Sequence, residues 1–354
     1  MSGRDPAGGG VRQALHAILE GGTLSGEAAR AAFGAIMDGD VPPALLGAFL
    51  VALRQRGETV GEITAFARVM RERATPVRSG LEAVVDTCGT GGDGSGTFNI
   101  STLAAIVAAG AGAPVAKHGN RSVSSRCGSA DLLQGLGVGV EETGVALLER
   151  ALREAGIAFL FAPALHGAMR HAAPVRRELG VRTVFNLLGP LTNPAGARRQ
   201  VLGVYDARHV ETLALVLRDL GSERALVVHG DGLDEITTTG ETLAAELRDG
   251  AVRTRRLTPE EAGLPRADRQ ALLGGDVERN VAIARAVLGG ARGPHRDIVL
   301  LNAAAALYVA GLADDLKDGA AQAAAAIDSG RAAEALERLR QICPPPARGG
   351  GAEA

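Results

Sequence analysis

Tryptophan is absent from the 354 residues, and aromatic side chains make up only 3% of them. Platforms that stack single-stranded nucleic acid are built from such rings, so that class of partner has little material here. A cationic surplus is missing too. Against 38 Lys and Arg stand 40 Asp and Glu, a formal net charge of -2, whereas a chain that wraps phosphate backbone is usually rich in basic residues. No nucleic-acid partner is expected, and any anion site must be local. Cysteine is scarce: Cys88, Cys127 and Cys343 are too few and too scattered for a disulfide framework or a structural zinc site. That scarcity fits a reducing compartment and makes the cytoplasm the expected location. Long apolar runs are also lacking. The longest uncharged stretch, Gly94 to Ala116, carries Ser95, Thr97, Asn99, Ser101, Thr102 and Pro114, unlike the ~20 apolar residues a bilayer requires. No membrane partner is expected. Met1 to Gly10 is polar and Gly-rich without a basic cluster leading into an apolar core, so a signal peptide is not expected either.

What remains is ordinary globular composition, 46% hydrophobic and 22% charged, at a length that suggests two domains or one large domain with a satellite. From Val11 to about Arg73 the apolar residues recur at helical spacing: Leu15, Ile18 and Leu19, then Phe33, Ile36 and Met37, then Leu46, Phe49, Leu50 and Leu53. Ser25 and Thr59 read as helix starts, the second with Glu62 in capping-box position, and Pro42-Pro43 opens another helix. Around Thr75 to Gly80 the pattern breaks. Beyond it, short β-branched runs alternate with Ala- and Leu-rich helices. Leu81–Asp86, Ala113–Ala116, Ile157–Phe161, Val201–Val204 and Ala225–Val228 read as buried strands of a mainly parallel α/β sheet. Consecutive strands then present their C-terminal ends on one edge, where ligands usually bind. The expected organisation is α/β: a flexible tail over 1–10, a small all-α domain over 11–77, and an α/β domain over 78–165 and 189–342. A second flexible tail follows over 343–354.

The segment Asp86-Thr87-Cys88-Gly89-Thr90-Gly91-Gly92-Asp93-Gly94 follows a strand and precedes a helix, and Gly89, Gly91 and Gly94 satisfy G-x-G-x-x-G. A dinucleotide fold would place an acidic residue ~20 positions later on a ribose hydroxyl. No Asp or Glu occurs between Asp93 and Asp131, which removes that reading. It is no Walker loop either, since no Lys-Ser or Lys-Thr pair closes the spacing. The carboxylate-free interval instead holds donors: Ser95, Thr97, Ser101 and Thr102, then Lys117, His118 and Arg121, then Ser122, Ser124, Ser125, Arg126 and Ser129. Glycines admit backbone N–H groups to an anion, and a helix start adds positive potential. A phosphate-rich ligand suits this surface better than a bland glycine turn. Lys117 and Lys317 are the only lysines, so 36 of the 38 cationic side chains are arginines. A lysine beside a strand end stands out as a compact point charge suited to phosphate. His118 reads equally as a buried, hydrogen-bonded core histidine.

A second cluster, His229-Gly230-Asp231-Gly232-Leu233-Asp234-Glu235, follows the Ala225–Val228 strand and should face the same edge. Adjacent Asp234 and Glu235 repel unless a cation sits with them, and Mg²⁺ characteristically takes one or two carboxylates plus substrate phosphate oxygens. The bland alternative is a pair of solvated acids in a turn. The stretch from His166 to Arg177 is rich in cations and should be helical in its later half. Arginine suits bidentate capture of a carboxylate, but spacing does not choose among Arg170, Arg176 and Arg177.

Five segments, in order, carry a resemblance: Asp86–Asp93; Asn99-Ile100-Ser101-Thr102; Lys117-His118-Gly119-Asn120-Arg121-Ser122-Val123-Ser124-Ser125; Val184–Pro194, reading VFNLLGPLTNP; and Gly232-Leu233-Asp234-Glu235. Together they resemble the anthranilate phosphoribosyltransferases from about Gly22 to beyond Ala305. The resemblance implies a nucleoside phosphorylase/phosphoribosyltransferase-like fold in which a segment near 166–188 returns to the helical domain, and a homodimer formed mainly through that domain. It implies a glycosyltransferase of tryptophan biosynthesis that joins anthranilate to phosphoribosyl diphosphate (PRPP). Carried onto this sequence, PRPP would be held by Gly89, Gly92, Asp93, Thr97, Asn99, Ile100, Ser101, Thr102, Ser129 and the loop from Lys117 to Ser125. Ser101, Asp234 and Glu235 would bind Mg²⁺, and Gly89, Asn120, Arg176, His118 and His166 would receive anthranilate. No catalytic acid or base is implied. The chain departs from the family pattern at Gly167, where many members have Pro after the His; an anthranilate channel loosened there is expected, with the diphosphate site untouched. Pyrimidine nucleoside phosphorylases share the architecture, and a non-catalytic nucleic-acid-binding relative is a further alternative. The Lys117–Arg121 string and the Asp234-Glu235 pair favour the transferase.

Overall fold

The computed structural model describes residues 8–121 and 126–346. Four helices come first: α1 (Gly9–Leu19), α2 (Gly26–Asp38), α3 (Pro43–Arg56) and α4 (Val60–Arg73). Their starts are those the sequence marks. The Ser25 hydroxyl accepts the Ala28 N–H, Pro43 opens α3, and Thr59 and Glu62 close a capping box at α4. Phe33, Phe49 and Phe66 meet at the centre of this bundle, the first and last stacked 4.6 Å apart. α1 begins inside the stretch read as a flexible tail, because Val11 is fully buried and its turn is closed by a bond from Arg12 N–H to Gly8 O of 2.9 Å.

The rest is a seven-stranded sheet with helices on both faces. Its strands are β1 (Val85–Gly89), β2 (Val115–Gly119), β3 (Ile157–Phe161), β4 (Arg199–Gly203), β5 (Arg224–Gly230), β6 (Thr242–Arg248) and β7 (Ala251–Leu257). They lie in the order β3-β2-β1-β4-β5-β6-β7, the first five mutually parallel and β6 antiparallel to both β5 and β7. Chain direction across the sheet therefore reverses between β1 and β4, the kind of switch point at which a crevice opens beyond the carboxyl ends of the strands. The helices after β1 are α5 (Ile100–Gly110), α6 (Ser129–Gly135), α7 (Val145–Glu154), α8 (Ala162–Leu165), α9 (Ala173–Leu179) and α10 (Val184–Leu188). They are followed by α11 (His209–Asp219), α12 (Val277–Leu288), α13 (Pro294–Ala310), α14 (Leu316–Asp328) and α15 (Arg331–Ile342).

Strand periodicity divides the core in two. Val201, Leu226 and Val228 face α5 and α13, whereas Leu202, Ala225 and Val227 face α11 and share one buried cluster with the bundle. Val175, Val184, Phe185, Leu187 and Leu188 belong to that second cluster, so the chain returns to the bundle between β3 and β4.

Several boundaries differ from the sequence reading. β1 starts at Val85 rather than Leu81, because Ala83 turns the chain at φ 57° and Leu81 is exposed. β2 runs on through Lys117 and His118 to Gly119, polar residues that the apolar pattern left outside. β6 and β7 are additional: they form a hairpin whose turn, Asp249-Gly250, has φ of 52° and 75°, the two positive values an Asp-Gly hairpin turn supplies. Cys343, read as the start of a tail, is buried, and its carbonyl accepts the Gly139 N–H at 2.7 Å. Residues 347–354 lie outside the described residues.

Candidate active site

At the switch point, β1, β4 and β5 end in Gly89, Gly203 and Gly230. The reason is close approach. A Cβ on Gly89 would overlap the Asp234 carboxylate, one on Gly203 the Asp234 carbonyl, and one on Gly230 the Glu235 carbonyl. Bare strand ends let the 231–235 loop lie directly on the sheet edge and carry its two acids over β1 and β4. The Gly91 N–H donates to Asp234 Oδ2 at 2.7 Å, and the Ser101 N–H, in the first turn of α5, donates to Glu235 Oε1 at 3.1 Å. Asp93 closes the group: its Oδ2 accepts the Asp234 N–H at 3.3 Å while its Oδ1 accepts both the N–H and the hydroxyl of Ser95 at 2.9 Å.

Three carboxylates thus crowd one partly enclosed edge. Burial, then the neighbouring Asp93, pushes Asp234 up to about 7; burial, then Asp234, pushes Glu235 up to about 8. A cation placed between them would reverse both effects. The donors on offer are hard oxygens, the set Mg²⁺ prefers. Behind them, Asn302 on α13 is buried and grips the next residue from both sides. Its Oδ1 accepts the Ile236 N–H at 3.0 Å, and its Nδ2 donates to Ile236 O at 2.8 Å.

Lys117 lies beneath this cluster, only 2% exposed. Its Nζ donates to Thr87 O at 2.5 Å and to Ser101 Oγ at 3.3 Å, so the ammonium spans the end of β1 and the start of α5. Burial draws its pKa down, with Asp86 the leading opposing charge. Asp86 is itself fully buried and accepts the His118 N–H at 3.0 Å. The His118 ring meets His166, which follows α8, with the two Nε2 atoms 3.2 Å apart. Burial draws the first to about 3 and the second to about 4, so both rings are neutral near pH 7.

The remaining sequence candidates divide. Thr97 sits beside Ser95, their hydroxyls 3.2 Å apart. Asn99 spends its side chain on structure, donating to Cys127 O at 3.0 Å and accepting from Asn280 at 3.0 Å. Ile100 and Thr102 point into the core, each 1% exposed, so they can offer a ligand only backbone groups. Gly119 admits the Phe159 ring, Asn120 is exposed, and Ser129 opens α6. The guanidinium of Arg121 is engaged by Asp131, Gln134 and Glu141. Ser122, Val123, Ser124 and Ser125 lie outside the described residues. Arg176, on α9, rests over the Phe185 ring at 4.9 Å from its centroid. Gly167 is exposed, with open space where a Cβ would stand.

Sequence reasoning missed Gly203, Asn302 and Arg182. A glycine inside the run Val201-Leu202-Gly203-Val204 is the usual mark of close backbone approach. An Asn in the apolar run from Ile298 to Leu307 demands a buried polar partner.

Two family descriptions match the chain: "Glycosyl transferase family, a/b domain" over residues 81–333, and "Glycosyl transferase family, helical bundle domain" over residues 12–74. The anthranilate phosphoribosyltransferase of Moorella thermoacetica is 57% identical over 330 residues, covering 93% of this chain and 97% of that protein. Its counterpart from Rhodospirillum rubrum is 55% identical over 338 residues, covering 95% and 97%. Among solved structures, the anthranilate phosphoribosyltransferase of Thermus thermophilus superposes with a TM-score of 0.89 at 49% identity, over 93% of this chain and 99% of that one. The Saccharomyces cerevisiae enzyme, in complex with PRPP and Mg, gives 0.86 at 27% identity over 96% and 99%. With its strand order, its glycine-ended sheet edge and these likenesses across more than nine-tenths of its length, the chain belongs to the anthranilate phosphoribosyltransferase family.

Proposed function

We infer that the protein transfers the 5-phosphoribosyl group of PRPP to the amino nitrogen of anthranilate, giving N-(5-phosphoribosyl)anthranilate and diphosphate, a step of tryptophan biosynthesis. The observation that carries this reading is the Asp234-Glu235 pair laid over the glycine ends of β1 and β4, facing the start of α5. In the reaction the nitrogen lone pair forms a bond to the ribose anomeric carbon. The bond from that carbon to diphosphate breaks, its electron pair leaves with diphosphate, and one amine proton passes to solvent. Anthranilate's aromatic amine is already neutral near pH 7, so no strong base is required.

The chain's work is to hold two reactants in line and to stabilise the departing charge. Gly91 and Gly92, both at positive φ, shape a turn in which the Gly91 N–H holds Asp234 and the N–H groups that follow it suit diphosphate, and the start of α5 adds its dipole. Lys117 sets its terminal amino group under Ser101 and the end of β1. Asp234, Glu235 and Ser101 would hold Mg²⁺, which supplies Lewis-acid charge to the leaving group when bound. Arg176 receives the anthranilate carboxylate, while neutral His118 and His166 line the approach without placing charge beside the attacking nitrogen. The protein pairs as a homodimer through its bundle, where Leu19 on α1 and Val51 on α3 are exposed. It works in the cytoplasm, in keeping with its few, buried cysteines.

Anthranilate fluorescence followed over time tests the reading, with purified protein, PRPP and Mg²⁺ and with each omitted in turn. Loss of signal in the complete mixture alone is expected. A persistent signal there would overturn it.

A further inference from the structure

Arg182 stands between α9 and α10, outside every substrate contact assigned above. Its guanidinium donates to the Gly92 carbonyl and lies over the face of Tyr205, 3.9 Å from the ring centroid. Tyr205 serves the same loop from its other end, its N–H donating to Thr90 Oγ1 at 3.0 Å. The Arg182 carbonyl, in turn, accepts a bond of 2.7 Å from Arg54 on α3. One residue therefore joins the helical bundle to the tip of the glycine loop. The sequence permits it: Gly92 sits at φ +75°, and a Cβ there would press on the Arg182 guanidinium at 3.0 Å.

The loop needs such a hold. Consecutive glycines at positive φ have many other conformations open to them. The sheet side pins Thr90 through its N–H to Gly203 O at 2.9 Å, and pins Gly91 through Asp234. Gly92 is gripped from the helical side. A charged donor on its carbonyl also polarises the peptide whose N–H belongs to Asp93, making that N–H a better donor to an anion. The same short stretch of chain carries Arg176 and Phe185, which are packed together. The segment that receives the aromatic acid thus also holds the diphosphate turn.

We propose that Arg182 is a positioning residue that fixes the Gly91-Gly92 turn for diphosphate and couples it to the anthranilate segment; this rests on the function inferred above. Binding at either site then strengthens binding at the other, by one reciprocal factor.

The test is calorimetric titration of PRPP with Mg²⁺ into wild type, Arg182→Ala, Arg182→Lys and Tyr205→Leu, alone and with benzoate as an unreactive aromatic acid. Anthranilate affinity without PRPP and thermal melting are measured in parallel. Arg182→Ala weakens PRPP about tenfold, as loss of a charge-assisted hydrogen bond should, and abolishes the strengthening by benzoate. It leaves anthranilate affinity unchanged. Arg182→Lys keeps a donor and recovers most of the PRPP affinity. Tyr205→Leu weakens PRPP about threefold by removing the stack, and it carries the test should Arg182→Ala fail to fold. PRPP affinity within twofold of wild type in folded Arg182→Ala and Tyr205→Leu, or equal weakening of both substrates, overturns the proposal alone. Wild type that fails to bind PRPP at all overturns the functional reading and this inference with it.

Discussion

Replacing Gly203 by alanine tests whether the sheet edge positions the acids. Gly203 pairs with Gly89 on one side and Val228 on the other, and its carbonyl also takes the Thr90 N–H, so the end of β4 is fixed. A Cβ there would stand 3.2 Å from the Asp234 Cα, with the carbonyl carbon and oxygen of Asp234 nearer still. Ordinary contact begins at 3.4 Å, so the Asp234 backbone must retreat by well over an ångström. The retreat breaks the 2.7 Å bond from Gly91 and moves Asp234 and Glu235 away from Ser101 together. Overpacking of this kind costs about 1–3 kcal/mol of stability, a drop of roughly 1–4 °C in Tm for a chain of this size. The catalytic loss is larger, because a displacement of about 1 Å at a reacting centre costs on the order of 100-fold. Steady-state turnover should therefore fall at least about 100-fold in a protein that still melts cooperatively. Gly263→Ala is the control: φ there is +72° but a Cβ meets open space, so it costs about 1–2 kcal/mol of strain and leaves turnover intact. Turnover of Gly203→Ala within about threefold of wild type, where about 100-fold is expected, would refute the positioning argument.

Asp234→Asn with Glu235→Gln removes both charges and should abolish turnover at ordinary Mg²⁺ while raising stability in chelator; retained activity in a steady-state assay would place the metal elsewhere. The raised pKa values of the pair set a pH dependence. Between the ordinary carboxylate range, near about 4, and about 8 for Glu235, the folded protein keeps protons that the unfolded chain has released. Stability is therefore fully present below that range and is lost as pH rises through about 7 and about 8. Melting in chelator from pH 6 to 9 should show Tm falling, with Mg²⁺ or the double variant flattening the slope; a rising Tm over that range contradicts it. Arg176→Ala should raise KM for anthranilate by about tenfold, as loss of a bidentate carboxylate contact should, and raise KM for PRPP far less. Equal effects in the same initial-rate assay would remove Arg176 from the acid's site.

The bundle was legible because each helix carries its own stop and start: Ser25, Pro43 and the Thr59–Glu62 box act within a few residues of themselves. The parallel strands were legible as apolar runs, but not their ends, since Lys117 and His118 continue β2 as polar residues whose partners lie on other strands. The hairpin of β6 and β7 carried a readable signal in Asp249-Gly250, obscured by a β7 that exposes Arg253, Arg255 and Arg256 and so lacks the apolar alternation of a strand. Within the site, Ser101, Asp234 and Glu235 were nameable from chemistry and spacing, and Asp93 only through the family resemblance. That Asp234 rests on Gly203 and Gly89, that Asn302 holds Ile236, and that Arg182 reaches Gly92 are contacts between distant segments. They depend on the strand order, which no local pattern encodes.

The central claim is a transfer in which diphosphate leaves only as anthranilate arrives, and its most direct measurement is stoichiometric. In one reaction with PRPP, Mg²⁺ and anthranilate, fluorescence loss and diphosphate release are followed together. One diphosphate for each anthranilate consumed, with no release when anthranilate is omitted, is the predicted result. Diphosphate released without anthranilate loss, or phosphate-dependent release of free base from uridine without PRPP, would contradict it.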